Sequence, residues 1–113
     1  MTNEEKFMAR AIELAVTNVT SNHGGPFGAV VVREGKIIAE GANLVTATND
    51  PTAHAEMVAI REACRMLKTF ELPGCDIYTS CEPCPMCLAA LYWSRCTAIF
   101  YGNNAAEIGR AHV

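Results

Sequence analysis

Gly28-Ala29-Val30-Val31-Val32-Arg33, then Glu34-Gly35, then Lys36 to about Asn43 read as a strand, a two-residue turn and a returning strand. The valine run between a Gly-Pro-rich segment and Glu-Gly favours extended backbone, because β-branched side chains are stiff and pack well on a pleated surface. A two-residue connection makes the strands pair antiparallel, with Ile37 and Ile38 helping to cover the sheet. The chain therefore contains a sheet opened by a hairpin, and the flanking segments must cover it.

Upstream, Thr2-Asn3-Glu4-Glu5 reads as a capping box, and Phe7, Ala11, Leu14 with Met8, Ile12, Ala15, Val19 recur at helical spacing, so an amphipathic helix spans about 4–20. Asn22-His23-Gly24-Gly25-Pro26 ends it. Downstream, the polar run Thr46–Asp50 leads to Pro51, which suits a first helical turn, with Asp50 or Thr52 as cap. A second helix is expected to open near Thr52, show Met57, Ile60, Cys64 and Leu67 to the core, and stop before Leu72-Pro73-Gly74. Asp76-Ile77-Tyr78-Thr79 is a short strand, Glu82-Pro83 starts a third helix to about Trp93, and Thr97–Tyr101 is a fourth strand. The order α-β-β-α-β-α-β predicts an α/β fold with right-handed crossovers and a mixed sheet between helices, antiparallel only at its opening hairpin.

With 113 residues, 50% hydrophobic and 19% charged, the chain has room for one domain with a core, and a disordered or collagenous class is excluded. Nine basic against twelve acidic side chains leave a net charge of −3, which opposes binding to a polyanion, so a nucleic acid partner is disfavoured. Apolar stretches fall short of a membrane span, and Met1–Lys6 lacks the basic and apolar regions of a signal. Six cysteines in such a chain are expected to be reduced, which predicts a cytoplasmic location and requires another role for the thiols.

Cys81, Cys84 and Cys87 fall within seven residues, a density that suits metal binding. His54-Ala55-Glu56 opens the second expected helix and Pro83-Cys84-Pro85-Met86-Cys87 the third, so one imidazole and two thiols stand at positive helix ends that favour thiolate. An N,S,S set suits tetrahedral zinc and leaves a fourth position for water, the mark of a catalytic rather than a closed site. In a first helical turn, side chains tilt toward the N-terminus, so Glu56 can reach the same point as His54 and exchange protons with a water whose pKa zinc lowers to about 7. This is hydrolytic chemistry.

The pair H-x-E and P-C-x-x-C is the signature of zinc-dependent base deaminases. Gly24–Val30, Asn49–Glu56 and Tyr78–Leu88 resemble bacterial guanine deaminases of the cytidine deaminase fold, and the likeness runs from about Phe7 to Gly102. Transfer RNA adenosine deaminases share both motifs but usually carry Leu-Glu-Pro-Cys in place of Ser80-Cys81-Glu82-Pro83-Cys84, so a purine base is preferred. The resemblance implies a three-layer α/β/α domain whose C-terminal elements are missing here. It also implies one zinc per chain on His54, Cys84 and Cys87, with Glu56 as proton shuttle and attack at C2 that converts guanine to xanthine and ammonia. Asn43 would hydrogen-bond the purine, Phe27 stack on it, the Ala55 N–H contact its edge and Trp93 line the pocket. A homodimer of the full-length parent, exchanging its C-terminal segment, is implied as well.

Other readings stand beside these. The ligands could belong to a non-catalytic zinc-stabilised module with Cys81 or Cys75 as a fourth ligand. The substrate could be adenosine in transfer RNA, cytosine or another base. An iron-sulfur run would need a cysteine where Leu91 stands. Cys64, Cys75 and Cys96 read as small buried hydrophobes and Cys81 as pocket wall. Phe27 and Trp93 also fit a core, Asn43 a strand-end turn, His23 a solvent-facing loop, and Arg61, Arg65 and Lys68 a solvated helix face. Residues 1–107 are expected to form the truncated deaminase domain, and Ile108–Val113, which look like a translated sequencing-adapter oligonucleotide, a non-native tail.

Overall fold

The computed structural model describes residues 2–102. They form α1 (Asn3–Thr20), β1 (Gly28–Arg33), β2 (Lys36–Ala42), α2 (Val45–Thr48), α3 (Ala55–Leu67), β3 (Cys75–Thr79), α4 (Pro85–Ser94) and β4 (Ala98–Tyr101). Ile108–Val113 lie outside the described residues. The strands lie in the order β2-β1-β3-β4. At the hairpin, Glu34 and Gly35 both have positive φ, the combination whose twist matches the flanking strands.

One expectation about the sheet is corrected. β1 is antiparallel to β3 as well as to β2, and only β3 and β4 pair in parallel. The chain passes from β2 through α3 to β3, so the crossover steps over β1, and the strands it makes parallel are not neighbours. β1 thus lies inside the sheet and is buried on both faces, which explains its nearly continuous apolar run. Ala29 and Val31 join the cluster containing Ala55, Ala59 and Leu91 of α3 and α4, while Val30 and Val32 meet Phe7, Met8 and Leu14 of α1. The helices therefore form two layers around the sheet. No described helix is long and apolar enough to cross a membrane.

In α1 the capping box forms as expected, with Thr2 Oγ1 accepting the Glu5 N–H and Glu5 accepting the Thr2 N–H. Its buried positions are Ala11, Ala15 and Asn18, whereas Ile12 and Val19, expected on the apolar stripe, are exposed. The tightest contact with the sheet is made by small residues. α3 repeats this pattern: Ala55, Glu56, Ala59 and Ala63 are its buried residues, and the expected Ile60, Cys64 and Leu67 pack at the margin.

The start of α3 is also displaced from expectation. Asp50 Oδ1 accepts from both the N–H and the hydroxyl of Thr52, at 2.8 and 2.7 Å, which commits residues 50–52 to a turn. Pro51 sits in that turn, the single-turn α2 lies within the expected loop, and His54 becomes the N-cap of α3. α4 likewise opens at Pro85, with Cys84 as N-cap, rather than at Glu82-Pro83.

Gly41 sets the distance between β2 and α3. A Cβ there would lie 2.3 Å from the Ala55 carbonyl oxygen and 2.6 Å from the Ala59 nitrogen, both backbone atoms that have no rotamer to change. Gly41→Ala is therefore expected to destabilise the fold by about 1–3 kcal/mol, read as a lower urea midpoint. An unchanged midpoint would show that the helix is free to move off the strand.

Candidate metal centre

β2 and β3 run in the same direction, so both deliver their C-terminal ends to the edge of the sheet where β1 begins. α3 and α4 start at that edge, and their N-termini converge. Ser80 closes the floor: its N–H donates to the Gly28 carbonyl at 2.9 Å and its hydroxyl accepts the Gly28 N–H at 3.0 Å. Clefts at the carboxyl ends of strands are the usual ligand sites of α/β sheets, and here three donor side chains meet in one.

His54 is the N-cap of α3, Cys84 is the N-cap of α4, and Cys87 lies in the first turn of α4. His54 Nδ1 lies 3.5 Å from Sγ of Cys84 and 3.5 Å from Sγ of Cys87, and all three donor atoms are within 4.8 Å of one another. Tetrahedral zinc with Zn–N near 2.0–2.1 Å and Zn–S near 2.3 Å sets its N and S ligands about 3.5–3.6 Å apart, so the spacing fits the ion. Cys84 Sγ also accepts the Cys87 N–H at 3.5 Å, which caps the helix and orients the sulfur.

The electrostatics call for a cation. Cys87 is fully buried, and burial first, then the nearby Glu56 and Cys84, push its thiol well above the usual range. Glu56 is itself only 5% exposed and lies within hydrogen-bonding reach of the Cys87 thiol. A thiol kept protonated by such surroundings gives up its proton to a coordinated metal ion, whose positive charge offsets the burial of the sulfur and the nearby carboxyl group.

Residues 1–103 match the cytidine and deoxycytidylate deaminase zinc-binding region. The chain belongs to this family. It is 57% identical over 110 residues to a guanine deaminase of Bacillus subtilis, an alignment that spans 95% of this chain and 70% of that protein. The X-ray structure of the Bacillus subtilis guanine deaminase superposes with a TM-score of 0.91, at 57% identity, over 96% of this chain and 71% of that one. A tRNA-specific adenosine deaminase of Aquifex aeolicus is 51% identical over 76 residues, covering 67% of this chain and 50% of that protein.

In a zinc-binding deaminase the N,S,S donor set has a direct use: His54, Cys84 and Cys87 could hold the ion. Among the described residues, the donors that come together are these three, without Cys81 or Cys75. Cys75 starts β3, at the far end of that strand from Ser80. Cys81 is buried beside Ser80, and its thiol is pushed up to about 11, mainly by burial and also by the Glu56 charge. A closed four-ligand module and a three-cysteine cluster would both need a donor that the fold does not bring in.

The structure treats the expected purine contacts of this deaminase unequally. Phe27 is buried in the same apolar cluster as Ala55 and Cys81. Asn43 Oδ1 accepts the Val45 N–H at 3.1 Å, so the strand-end turn forms and the amide orientation is set by that donor. Leu44, the next residue, donates its N–H to the Ala53 carbonyl at 2.9 Å, which fixes Asn43 close to the His54 segment. Ala55 is fully buried in the first turn of α3, where a backbone N–H has no intrahelical acceptor. Trp93 is 69% exposed, against Tyr92 and the Arg95 guanidinium. It stands six residues, about 9 Å of helix rise, beyond Cys87, so α4 carries it away from the donor cluster.

Two residues at this site escaped the sequence reading. Ser80 was passed over because its work is done on a backbone 52 residues away. Asn18 has no role in the sequence reading, although a polar residue between Ala15 and Val19 on a sheet-facing helix is a signal that a buried amide has a partner.

Proposed function

We propose that the protein hydrolytically deaminates a purine base, converting guanine to xanthine and ammonia, with zinc on His54, Cys84 and Cys87. The observation that carries this reading is the buried Glu56 carboxylate beside a donor set of three rather than four. A structural site has no use for such a carboxylate, while proton transfer needs one. The likeness to a guanine deaminase over 95% of the chain supports guanine as the base. The chain spans half the length of the Aquifex aeolicus tRNA deaminase and 70% of the guanine deaminase, and the activity is proposed for the whole protein.

Zinc, when bound, supplies the charge that makes water a nucleophile near neutral pH. Glu56 takes one proton from the attacking water and gives it to a ring nitrogen, where the product keeps it, then takes the second from the new C2 hydroxyl and gives it to the amine, which leaves as ammonia while the C2 carbonyl forms. Its place in the first turn of α3, two residues after His54, keeps the carboxylate at the reacting edge of the base. Asn43 has its Oδ1 held by the Val45 N–H, and its NH₂ donates to an acceptor on the purine. The Ala55 N–H meets the purine edge and Phe27 packs on its face, while the exposed Trp93 has no part in the pocket this chain forms.

The six free cysteines support a reducing, cytoplasmic setting. Leu88, Tyr92 and Trp93, exposed along α4, support a homodimer of the whole protein that covers this apolar surface.

The assay is ammonia and xanthine release from guanine by the zinc-loaded protein, with loss of both on chelation. A kcat of about 1–10³ s⁻¹ is the ordinary range for an enzyme acting on its own substrate. Turnover of adenosine in a tRNA anticodon stem-loop, with none of guanine, would replace the substrate assignment.

A further inference from the structure

Asn18 lies in the last turn of α1 and is only 5% exposed. Asparagine is a poor helix former, and a buried amide has to be hydrogen-bonded, so its presence there requires partners. Its Nδ2 donates to the Gly25 carbonyl at 2.9 Å and to the Asn43 carbonyl at 2.9 Å. One amide thus joins two segments far apart in sequence, the loop that leads to Phe27 and the exit of β2. The main-chain carbonyl of Asn18 accepts the His23 N–H at 3.0 Å and the Gly24 N–H at 3.3 Å, which draws the loop under the helix end. A Cβ on Gly24 would lie 2.4 Å from the Asn43 carbonyl oxygen, so the two segments touch. From this junction the Asn43 N–H donates to the Phe27 carbonyl at 3.3 Å.

We infer that Asn18 is a positioning residue for the purine, acting through Asn43 and Phe27. The inference rests on the reading of those two residues as base contacts. The carbonyls of Gly25 and Asn43 both point at one donor group, and without it two oxygen dipoles face each other in a buried space. They would part or admit water, and either response rotates the Asn43 peptide and shifts the ring of Phe27 relative to the metal ligands. The zinc ligands themselves lie on α3 and α4, which Asn18 does not touch, so base binding and metal binding should separate.

The test compares Asn18→Ala and Asn18→Ser with the unsubstituted zinc-loaded protein. Asn18→Ala is expected to raise the KM for guanine about tenfold, as the loss of two buried hydrogen bonds allows, with kcat within about twofold and zinc content unchanged. Asn18→Ser keeps one donor and should fall between. A lower melting temperature with an unchanged KM would reduce Asn18 to a structural role and overturn the inference. Failure of the unsubstituted protein to turn over guanine would remove the functional reading instead. Amide hydrogen exchange at Asn43, Leu44 and Val45 keeps the two failures apart: faster exchange in Asn18→Ala supports the positioning of the Asn43 segment by Asn18 whatever the substrate, and unchanged exchange overturns the inference. If Asn18→Ala does not fold, the same two readouts on Asn18→Ser decide the matter.

Discussion

Cys87→Ser is expected to leave the protein without zinc and to reduce its turnover by about 10⁴-fold or more, since an unassisted water has a pKa near 15.7 rather than about 7. Cys87 is the most deeply buried of the three donors and lies 3.5 Å from His54 Nδ1. A serine hydroxyl at this position stays protonated, offers a hard neutral oxygen where the ion has a soft anionic sulfur, and leaves only His54 and Cys84 to hold it. The same change separates folding from chemistry. Metal that binds only the folded state adds to stability, so the unsubstituted protein should melt higher with zinc than after chelation, while Cys87→Ser should melt at one temperature in both conditions. Metal content measured on the purified protein, together with those two melting curves, checks the expectation. A variant that retains a full equivalent of zinc would take Cys87 out of the ligand set.

The elements that were legible in the sequence are those whose signals are local. Glu34-Gly35 gives a hairpin because Gly35 takes one of the two positive-φ positions of the turn at no steric cost, and Thr2 with Glu5 gives a helix start because the cap is made within four residues. The donor cluster was legible for a related reason: thiols three residues apart at a helix start are brought together by that helix alone, and only His54 had to arrive from elsewhere. What escaped depends on distant partners. The antiparallel pairing of β1 with β3 is a choice between sheet positions, and no pattern within Asp76–Thr79 encodes the neighbour. Asp50 and Thr52 read as helix caps until it is seen that they bond to each other. The contact face of α3 was misplaced because large apolar residues mark a core by their size, whereas Ala59 marks it by its smallness, which matters only once Gly41 lies opposite. Asn18 escaped for the same reason: its partners lie 7 and 25 residues away.

Glu56→Gln and Glu56→Ala are both expected to slow turnover by about 10²- to 10⁴-fold, the usual contribution of a positioned acid-base group, while zinc content stays at that of the unsubstituted protein. Glutamine preserves the volume in a space that is almost closed to solvent and keeps a polar contact for the Cys87 side, but it has no proton to exchange. If Glu56 serves as a proton carrier, the two variants should be equally slow despite their different sizes, and the loss should fall on kcat more than on KM. If Glu56 instead only fills space, Glu56→Gln should retain most of the activity and Glu56→Ala should also lose stability, because it leaves a cavity next to Ala55 and Cys87. Parallel loss of zinc in both variants would make the carboxylate a fourth ligand, and a site closed by four protein donors leaves no position for water to attack from. The comparison of glutamine with alanine, with metal content measured on the same samples, therefore distinguishes a reaction centre from a structural clasp using one side chain.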